Sequence, residues 1–298
     1  WRGGVFYPLD WWAIIFNPSM PYRFVHMMFA TYLTSAFVVA GVSAWYLLHG
    51  RERLLATRAI ALALGMAAIA APMQILVGDM HGLNVKEHQP LKVAAMEGRW
   101  DTMAGAPLLL FAIPDDAAER NHFEVGIPYG ASLILEHHFD GVVKGLKEAP
   151  PEDRPPMAPI FFAFRIMVGS GLLLLALAWA ATWFAFRGTL AEQRWLLRAL
   201  AYSTPVGFLA TLSGWYVAEI GRQPWVVQGM MRTADAVSPI EPARVLYSLI
   251  ALAVVYGIIF AAYLHYLTGV VRKGPEVAAP AAGPATPHVW QPALLKDT

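Results

Sequence analysis

The chain has 298 residues, of which 57% are hydrophobic and 14% charged, and its mean hydropathy is +0.46. Globular proteins carry about a quarter charged residues, so this balance points to a polytopic membrane protein whose main solvent is lipid. A net charge of +1 makes no case for nucleic acid, and the absence of cysteine excludes disulfides, iron–sulfur clusters and thiolate haem ligation.

The chain begins at Trp1 without a methionine or a signal-peptide pattern, which predicts a piece of a longer sequence. Residues 1 to 22 set Tyr7, Trp11, Trp12, Phe16 and Tyr22 among prolines, an aromatic lead-in suited to the headgroup layer. From Phe24 to Leu48 the chain is apolar for about 25 residues, enough to cross a hydrocarbon core of roughly 30 Å. Further spans are expected near Ala59–Val77, Ile160–Phe186, Leu196–Ile220 and Val245–Leu267. The expected fold is therefore all-α, a transmembrane bundle of about five spans. Its parts are residues 1–77 with the lead-in and two spans, a long loop at 78–159, three spans within 160–272, and a tail at 273–298. That tail is rich in Pro and Ala and predicts disorder.

Arg51, Arg53 and Arg58 follow the first span, Arg187, Arg194 and Arg198 the third, and Arg272 and Lys273 the fifth. All fall on one side, which the positive-inside rule makes cytoplasmic, so the long loop faces outward. That loop holds two short apolar pieces, Pro107–Ile113 and Val125–Leu135, that cannot span a bilayer and suggest a folded or interfacial cap.

Three places in this pattern could carry chemistry. His26, in Pro21-Tyr-Arg-Phe-Val-His-Met-Met28, sits just inside the outer end of the first span, where an imidazole must be paired, face water or bind something. Met167, in Phe162-Ala-Phe-Arg-Ile-Met167, lies near the outer end of the third span, so topology gives the two side chains similar depth; Met/His is an established haem axial pair. Methionine there is more often core filler. Lys92 and Glu97 lie five apart, close to one helical face, in a string continuing Gly98-Arg99-Trp100; a solvated charged surface is the usual meaning of such a pair. The third place is Gly214-Trp-Tyr-Val-Ala-Glu-Ile-Gly-Arg-Gln-Pro-Trp225, where an apolar run ends in Glu219 and Arg222. Trp215 and Glu219 share a helical face, and Gly221 and Pro224 stop the helix. A carboxylate there opposes the negative end of the helix dipole. It reads as an interfacial acid beside a snorkelling arginine, or as a functional group. His81, His88, His122, His137 and His138 have no metal-site spacing and are expected to be mostly solvated, and Asp79, Glu87 and Asp101 to be surface charge.

These strings resemble cytochrome bd quinol oxidase subunit I: Gly214–Trp225 is similar to the end of the family's eighth transmembrane helix, the His26 string to its fifth and the Met167 string to its seventh. Lys92–Trp100 is similar to its Q loop. The resemblance implies that His26 and Met167 ligate the iron of a low-spin haem b, with Arg165 close to it. It implies that Glu219 ligates iron in the high-spin pair, a second haem b with haem d or a further haem b, and that Trp215 and Arg222 lie beside that pair. It also makes Glu97 the proton acceptor for ubiquinol or menaquinol and Lys92 its orienting partner.

The implied function is a quinol:oxygen oxidoreductase of the bacterial cytoplasmic (inner) membrane that reduces dioxygen to water and builds a proton gradient. Its implied partners are subunit II and, as a further candidate, a small single-span subunit. The resemblance covers helices five to nine. Helices one to four, with a haem-ligating histidine and acidic residues of a proton route, have no counterpart, so this piece alone is expected to be inactive. The short Q loop suggests the compact branch that includes cyanide-insensitive oxidases. Two other readings compete with it: a haem-b electron carrier or scaffold without an oxygen site, and a transporter using Glu219 and His26 to handle protons.

Overall fold

A computed structural model describes residues 7–275. The expected disordered tail lies, from residue 276 onward, outside the described residues.

In the lead-in, a one-turn helix α1 (Trp11–Ile15) is capped by Asp10, whose carboxylate accepts from the Trp12 and Ala13 amides at 2.9 and 3.2 Å. Two long antiparallel helices follow, α2 (Met20–Leu48) and α3 (Arg53–His88). At 1.5 Å per residue α3 runs about 54 Å, well beyond a hydrocarbon core of about 30 Å. The helix continues past Val77, through Gly78 and Gly82, until Gln89 and Pro90. The expected loop therefore starts eleven residues late, on a helical stalk.

Between His88 and Met157 the chain builds a cap. It comprises α4 (Pro90–Glu97), strand β1 (Met103–Ala104), the hairpin β2 (Leu108–Asp115) and β3 (Arg120–Ile127), helix α5 (Gly130–Glu136), and β4 (Val142–Val143), which pairs with β1. The two short apolar pieces of the sequence thus become hairpin and helix. Leu109 and Ala112 bury one side of the hairpin against Phe161.

The chain then re-enters the bundle as α6 (Met157–Phe186). The single span expected over Leu196–Ile220 is two helices, α7 (Arg194–Tyr202) and α8 (Val206–Ile220). Pro205 has no amide to continue the helix, and the Ser203 and Thr204 hydroxyls take up the carbonyls of Leu200 and Ala201, both at 2.8 Å. A small hairpin of β5 (Trp225–Val227) and β6 (Met231–Arg232) leads to α9 (Pro242–Lys273). Among the described residues four helices, α2, α3, α6 and α9, are long and apolar enough to cross a bilayer. The chain is a mostly helical, polytopic bundle. Side chains such as Leu62, Phe186 and Tyr266 stand largely exposed on it, which suits lipid and not water.

Small residues set the helix spacing. Ala36, Ala40 and Ala44 on α2 meet Ala63, Ala67 and Ala71 on α3 and Ala178 and Ala181 on α6 in one core with Phe37, Leu64 and Leu174. Gly207 brings α8 onto α2 so closely that a Cβ there would stand 2.6 Å from Thr34 Oγ1 and 2.8 Å from Thr34 Cα. Gly207→Val must push the two helices apart, at about 1–3 kcal/mol for overpacking. The expected outcome is a lower thermal midpoint of the detergent-purified protein, whereas Gly65→Val, where a Cβ meets nothing within 4 Å, should leave it nearly unchanged.

At the basic ends, Tyr46 Oη donates to Val271 O at 2.7 Å and Arg51 Nη2 to Lys273 O at 3.4 Å, so the C-terminal ends of α2 and α9 meet. The cap and the candidate residues gather at the opposite end.

Candidate functional site

Glu97 closes α4, and the chain reverses at Gly98, whose φ of +67° is a left-handed C-cap. A Cβ at Gly98 would stand 2.9 Å from the Phe161 ring, so the turn also needs the missing side chain for space. This reversal tucks α4 under the cap. Lys92 and Glu97 are only 4% and 5% exposed, which overturns the solvated-surface reading of the pair.

Their side chains go to different places. The Glu97 carboxylate lies 3.6 Å from the Arg165 guanidinium on α6. Burial pushes its carboxyl above the ordinary range, and the charges of Arg165 and Arg99 pull the other way. Arg165 is itself fixed by the cap: it donates to Leu109 O at 3.0 and 2.6 Å and to Met96 O, and stacks 3.8 Å over the Phe161 ring. Arg99, 5% exposed, donates through Nε to Glu97 O at 3.3 Å. Burial lowers its guanidinium from the usual value, countered by Glu124 and Glu97.

Lys92, five residues earlier, points to the end of α8. Its ammonium donates to Ala218 O at 3.2 Å, and its stem lies 2.8 and 2.9 Å from where a Gly221 Cβ would be. Gly221 is thus needed for this close approach. Burial, with Arg23 and Arg222 nearby, lowers the Lys92 ammonium to about 8, against the pull of Glu219. The second cation acting on Glu97 is Arg99, while Lys92 belongs electrostatically with the α8 terminus.

At that terminus Glu219 Oε2 accepts from Arg222 Nη2 at 2.6 Å, with the carboxylate side chain 46% exposed. Trp215, one turn earlier, is exposed and lies 5.7 Å from the Tyr216 ring. Arg222 Nε is buried without a partner.

His26, near the start of α2, faces α3. Its Nε2 lies 3.2 Å from Gln74 Nε2, its ring is 5.7 Å from that of His81, and Gly78 leaves room for it: a Cβ there would be 3.0 Å from Cε1. Gln74, Gly78 and His81 follow one another at helical spacing on a single face of α3. His26 Nδ1, His81 Nε2 and Gln74 Oε1 are buried with no hydrogen-bond partner. His81 is therefore not the solvated histidine expected from the sequence. Met167 on α6 puts its sulfur 2.9 Å from where a Gly214 Cβ on α8 would lie, one residue before Trp215. His26 and Met167 occupy the same end of the bundle, but no described hydrogen bond or ring contact joins them.

Sequence reasoning did not single out Arg99, Gln74 or His81. Arg99 lies two residues past Glu97 across a glycine turn, a signal legible once the turn is known. Gln74 and His81 share a face with Gly78 on a helix whose length was underestimated.

A polytopic helical bundle that gathers an imidazole, a thioether and carboxylates at one end, under a folded cap, defines a membrane protein with buried chemistry. The family model for cytochrome bd terminal oxidase subunit I matches residues 2–275, and the chain belongs to that family. It is 36% identical over 278 residues to the cytochrome bd ubiquinol oxidase subunit 1 of Bacillus subtilis (strain 168), covering 90% of this chain and 59% of that protein. Identity is 30% over 329 residues to the cytochrome bd-II ubiquinol oxidase subunit 1 of Escherichia coli (strain K12), covering 88% and 64%. The structure of the bd oxidase from Geobacillus thermodenitrificans superposes with a TM-score of 0.85 at 32% identity, covering 92% of this chain and 63% of that one. The chain thus spans about three fifths of the length of these relatives.

Proposed function

We propose that this chain forms the greater part of the haem-bearing subunit of a quinol-oxidising terminal oxidase in the bacterial cytoplasmic membrane. The reading places residues 90–156 outside as the quinol cap and the arginine-rich ends inside, following the positive-inside rule. Subunit II is the expected partner and dioxygen the electron acceptor. The observation that carries the reading is the buried Glu97 carboxylate between Arg165 and Arg99.

A quinol loses two protons as it gives up two electrons. A carboxylate whose affinity for protons is raised by burial is a better acceptor than a solvated one, provided that it is ionised when the quinol arrives. Arg165 and Arg99 keep it so by opposing the cost of burial. Lys92 braces the end of α8 against α4 and thereby ties the cap to the Glu219 segment.

Haem suits the residues at hand. The buried, unpartnered Nδ1 of His26 and the Met167 sulfur against Gly214 offer imidazole and thioether donors, the other imidazole nitrogen, Nε2, facing Gln74. Glu219, held by Arg222 and half-exposed, offers an anionic donor. Bound haem would pass electrons singly from quinol toward dioxygen. His26 and Met167 would hold one iron and Glu219 another, while Trp215 and Arg222 would flank the latter. Two quinols would yield four electrons and release four protons outside; four protons taken from inside would complete two waters.

Glu97→Gln, which keeps shape and removes the base, is expected to lower quinol-driven oxygen uptake by about 100-fold or more at unchanged haem content. In the native protein uptake should fall as pH drops through the raised Glu97 pKa, because the protonated acid accepts nothing. Normal turnover of Glu97→Gln in the assembled complex would sink the reading.

A further inference from the structure

Two buried polar atoms on neighbouring residues of the cap have no hydrogen-bond partner: Glu97 Oε2 and Arg99 Nη2. One is an acceptor and the other a donor. Neither is easily satisfied from within the protein. Arg165 approaches Glu97 at 3.6 Å, outside hydrogen-bond range, and three of its five N–H groups are already given to Leu109 O and Met96 O. Arg99 uses Nε on the Glu97 carbonyl and Nη1 on Met103 Sδ at 3.5 Å, a weak acceptor. Buried charged groups are ordinarily hydrogen-bonded in full, so a complementary pair left open calls for an occupant.

A cavity lies on the Glu124 side of this pair. Glu124, whose charge acts on Arg99, accepts from Asn121 Nδ2 at 2.8 Å, and Asn121 in turn donates to Gly98 O at 2.9 Å. With Leu109, Pro107, Gly126 and Tyr129, Glu124 lines an open cavity of about 560 Å³, within the size range of small-molecule sites. Leu109 is also the residue whose carbonyl anchors Arg165.

A hydroxyl group is both donor and acceptor, and one hydroxyl satisfies both open atoms at once. Resting on the quinol reading above, we propose that Arg99 is a substrate-binding residue, whose Nη2–H donates to the same quinol oxygen that donates its proton to Glu97 Oε2. In the reaction that proton would pass to the Glu97 carboxylate and the proton of the second hydroxyl to solvent, the two electrons being taken up by the haem that the quinol reading supplies. The product oxygen is then a carbonyl, which only accepts; Arg99 still serves it. Arg99 therefore binds quinol and quinone alike, while Glu97 distinguishes them.

The test uses Arg99→Met and Arg99→Lys in the assembled oxidase, with haem content as the control for assembly. Charged hydrogen bonds of this kind support an expected rise in quinol KM of about ten-fold or more in Arg99→Met, with a smaller rise in Arg99→Lys. A second readout is the infrared carbonyl band of bound, isotope-labelled short-chain ubiquinone: a guanidinium donor lowers its frequency, and Arg99→Met should return it toward the free value. Glu97→Gln should keep the lowered band. An unchanged KM and an unchanged band in both Arg99 variants would overturn the assignment and leave the pair to an ordered water. If Arg99→Met does not assemble, Arg99→Lys decides by the same two readouts. Should Glu97→Gln turn over normally, the quinol site itself is elsewhere and the proposal falls with it. An inactive Glu97→Gln beside a normal Arg99→Met removes Arg99 alone.

Discussion

In the assembled oxidase, His26→Ala is expected to abolish the low-spin haem signature, and Met167→Leu to convert it to a high-spin one. The two substitutions differ in what they remove. Alanine at 26 deletes the imidazole that faces Gln74 and His81, and with it the strong nitrogen donor, so that the haem should be lost or held loosely. Leucine at 167 keeps nearly the volume of methionine, a swap that costs under about 1.5 kcal/mol in packing. It can still fill the space against Gly214, where the Met167 sulfur comes within 2.9 Å of the Cβ position. What it cannot do is donate to iron. A thioether lost from a Met/His pair leaves the iron with one strong axial ligand and a weaker ligand field. Reduced-minus-oxidised spectra and electron paramagnetic resonance would show the change in spin state, and haem extraction would show occupancy. Unchanged spectra in both variants would return His26 to a buried histidine bonded to Gln74 and Met167 to helix packing.

The readable parts of this chain were those determined by length and local pattern. Apolar runs of about 20 residues or more have one use in a membrane, so α2, α6 and α9 follow from the sequence to within a few residues. The helix stop at Gly221 was legible for the same reason: glycine and proline punctuate the chain locally. Hydropathy alone misplaced the other boundaries. The segment at 196–220 is mostly apolar, and the missing amide of Pro205, with two hydroxyls ready to take the carbonyls, divides it into α7 and α8. The far end of α3 turns polar at Asp79 but stays helical to His88 because polar side chains do not end a helix.

The site was legible in identity and poorly legible in wiring. A lysine and a glutamate five apart look alike on a solvated surface and under a cap; what distinguishes them is the fold of residues 98–156 over α4, a long-range event with no local signal. The same packing sends Lys92 to Ala218 and gives Glu97 to Arg165 and Arg99. His81 changes from a loop histidine to a neighbour of His26 because α3 is three turns longer than its apolar run.

Glu219→Gln is expected to lower haem occupancy at the high-spin site while leaving the low-spin haem in place, and the reason lies in charge, not shape. Glu219 closes α8 at its negative end, where a carboxylate is disfavoured by the helix dipole. Arg222, three residues on, offsets that cost with an ion pair at 2.6 Å. For a pair this exposed the stabilisation is on the order of 0–1 kcal/mol, so a purely interfacial acid could be replaced by glutamine with little effect on stability or assembly. Iron changes the weighing. Glutamine keeps the side chain's length and its hydrogen-bond acceptor toward Arg222, but it removes the negative charge that balances a ferric centre in a medium where charge is poorly screened. Glu219→Ala removes the ligand atom as well and should go further, to near loss of that haem. Glu219→Asp keeps the charge and shortens the reach by a methylene, so partial occupancy is expected between glutamine and the native residue. The low-spin haem proposed at His26 and Met167 is held by α2 and α6 and should survive all three. Absorption spectra with haem extraction on the purified complexes separate these outcomes. Full high-spin haem in both Glu219→Gln and Glu219→Ala would leave Glu219 as an exposed acid paired with Arg222, and nothing more.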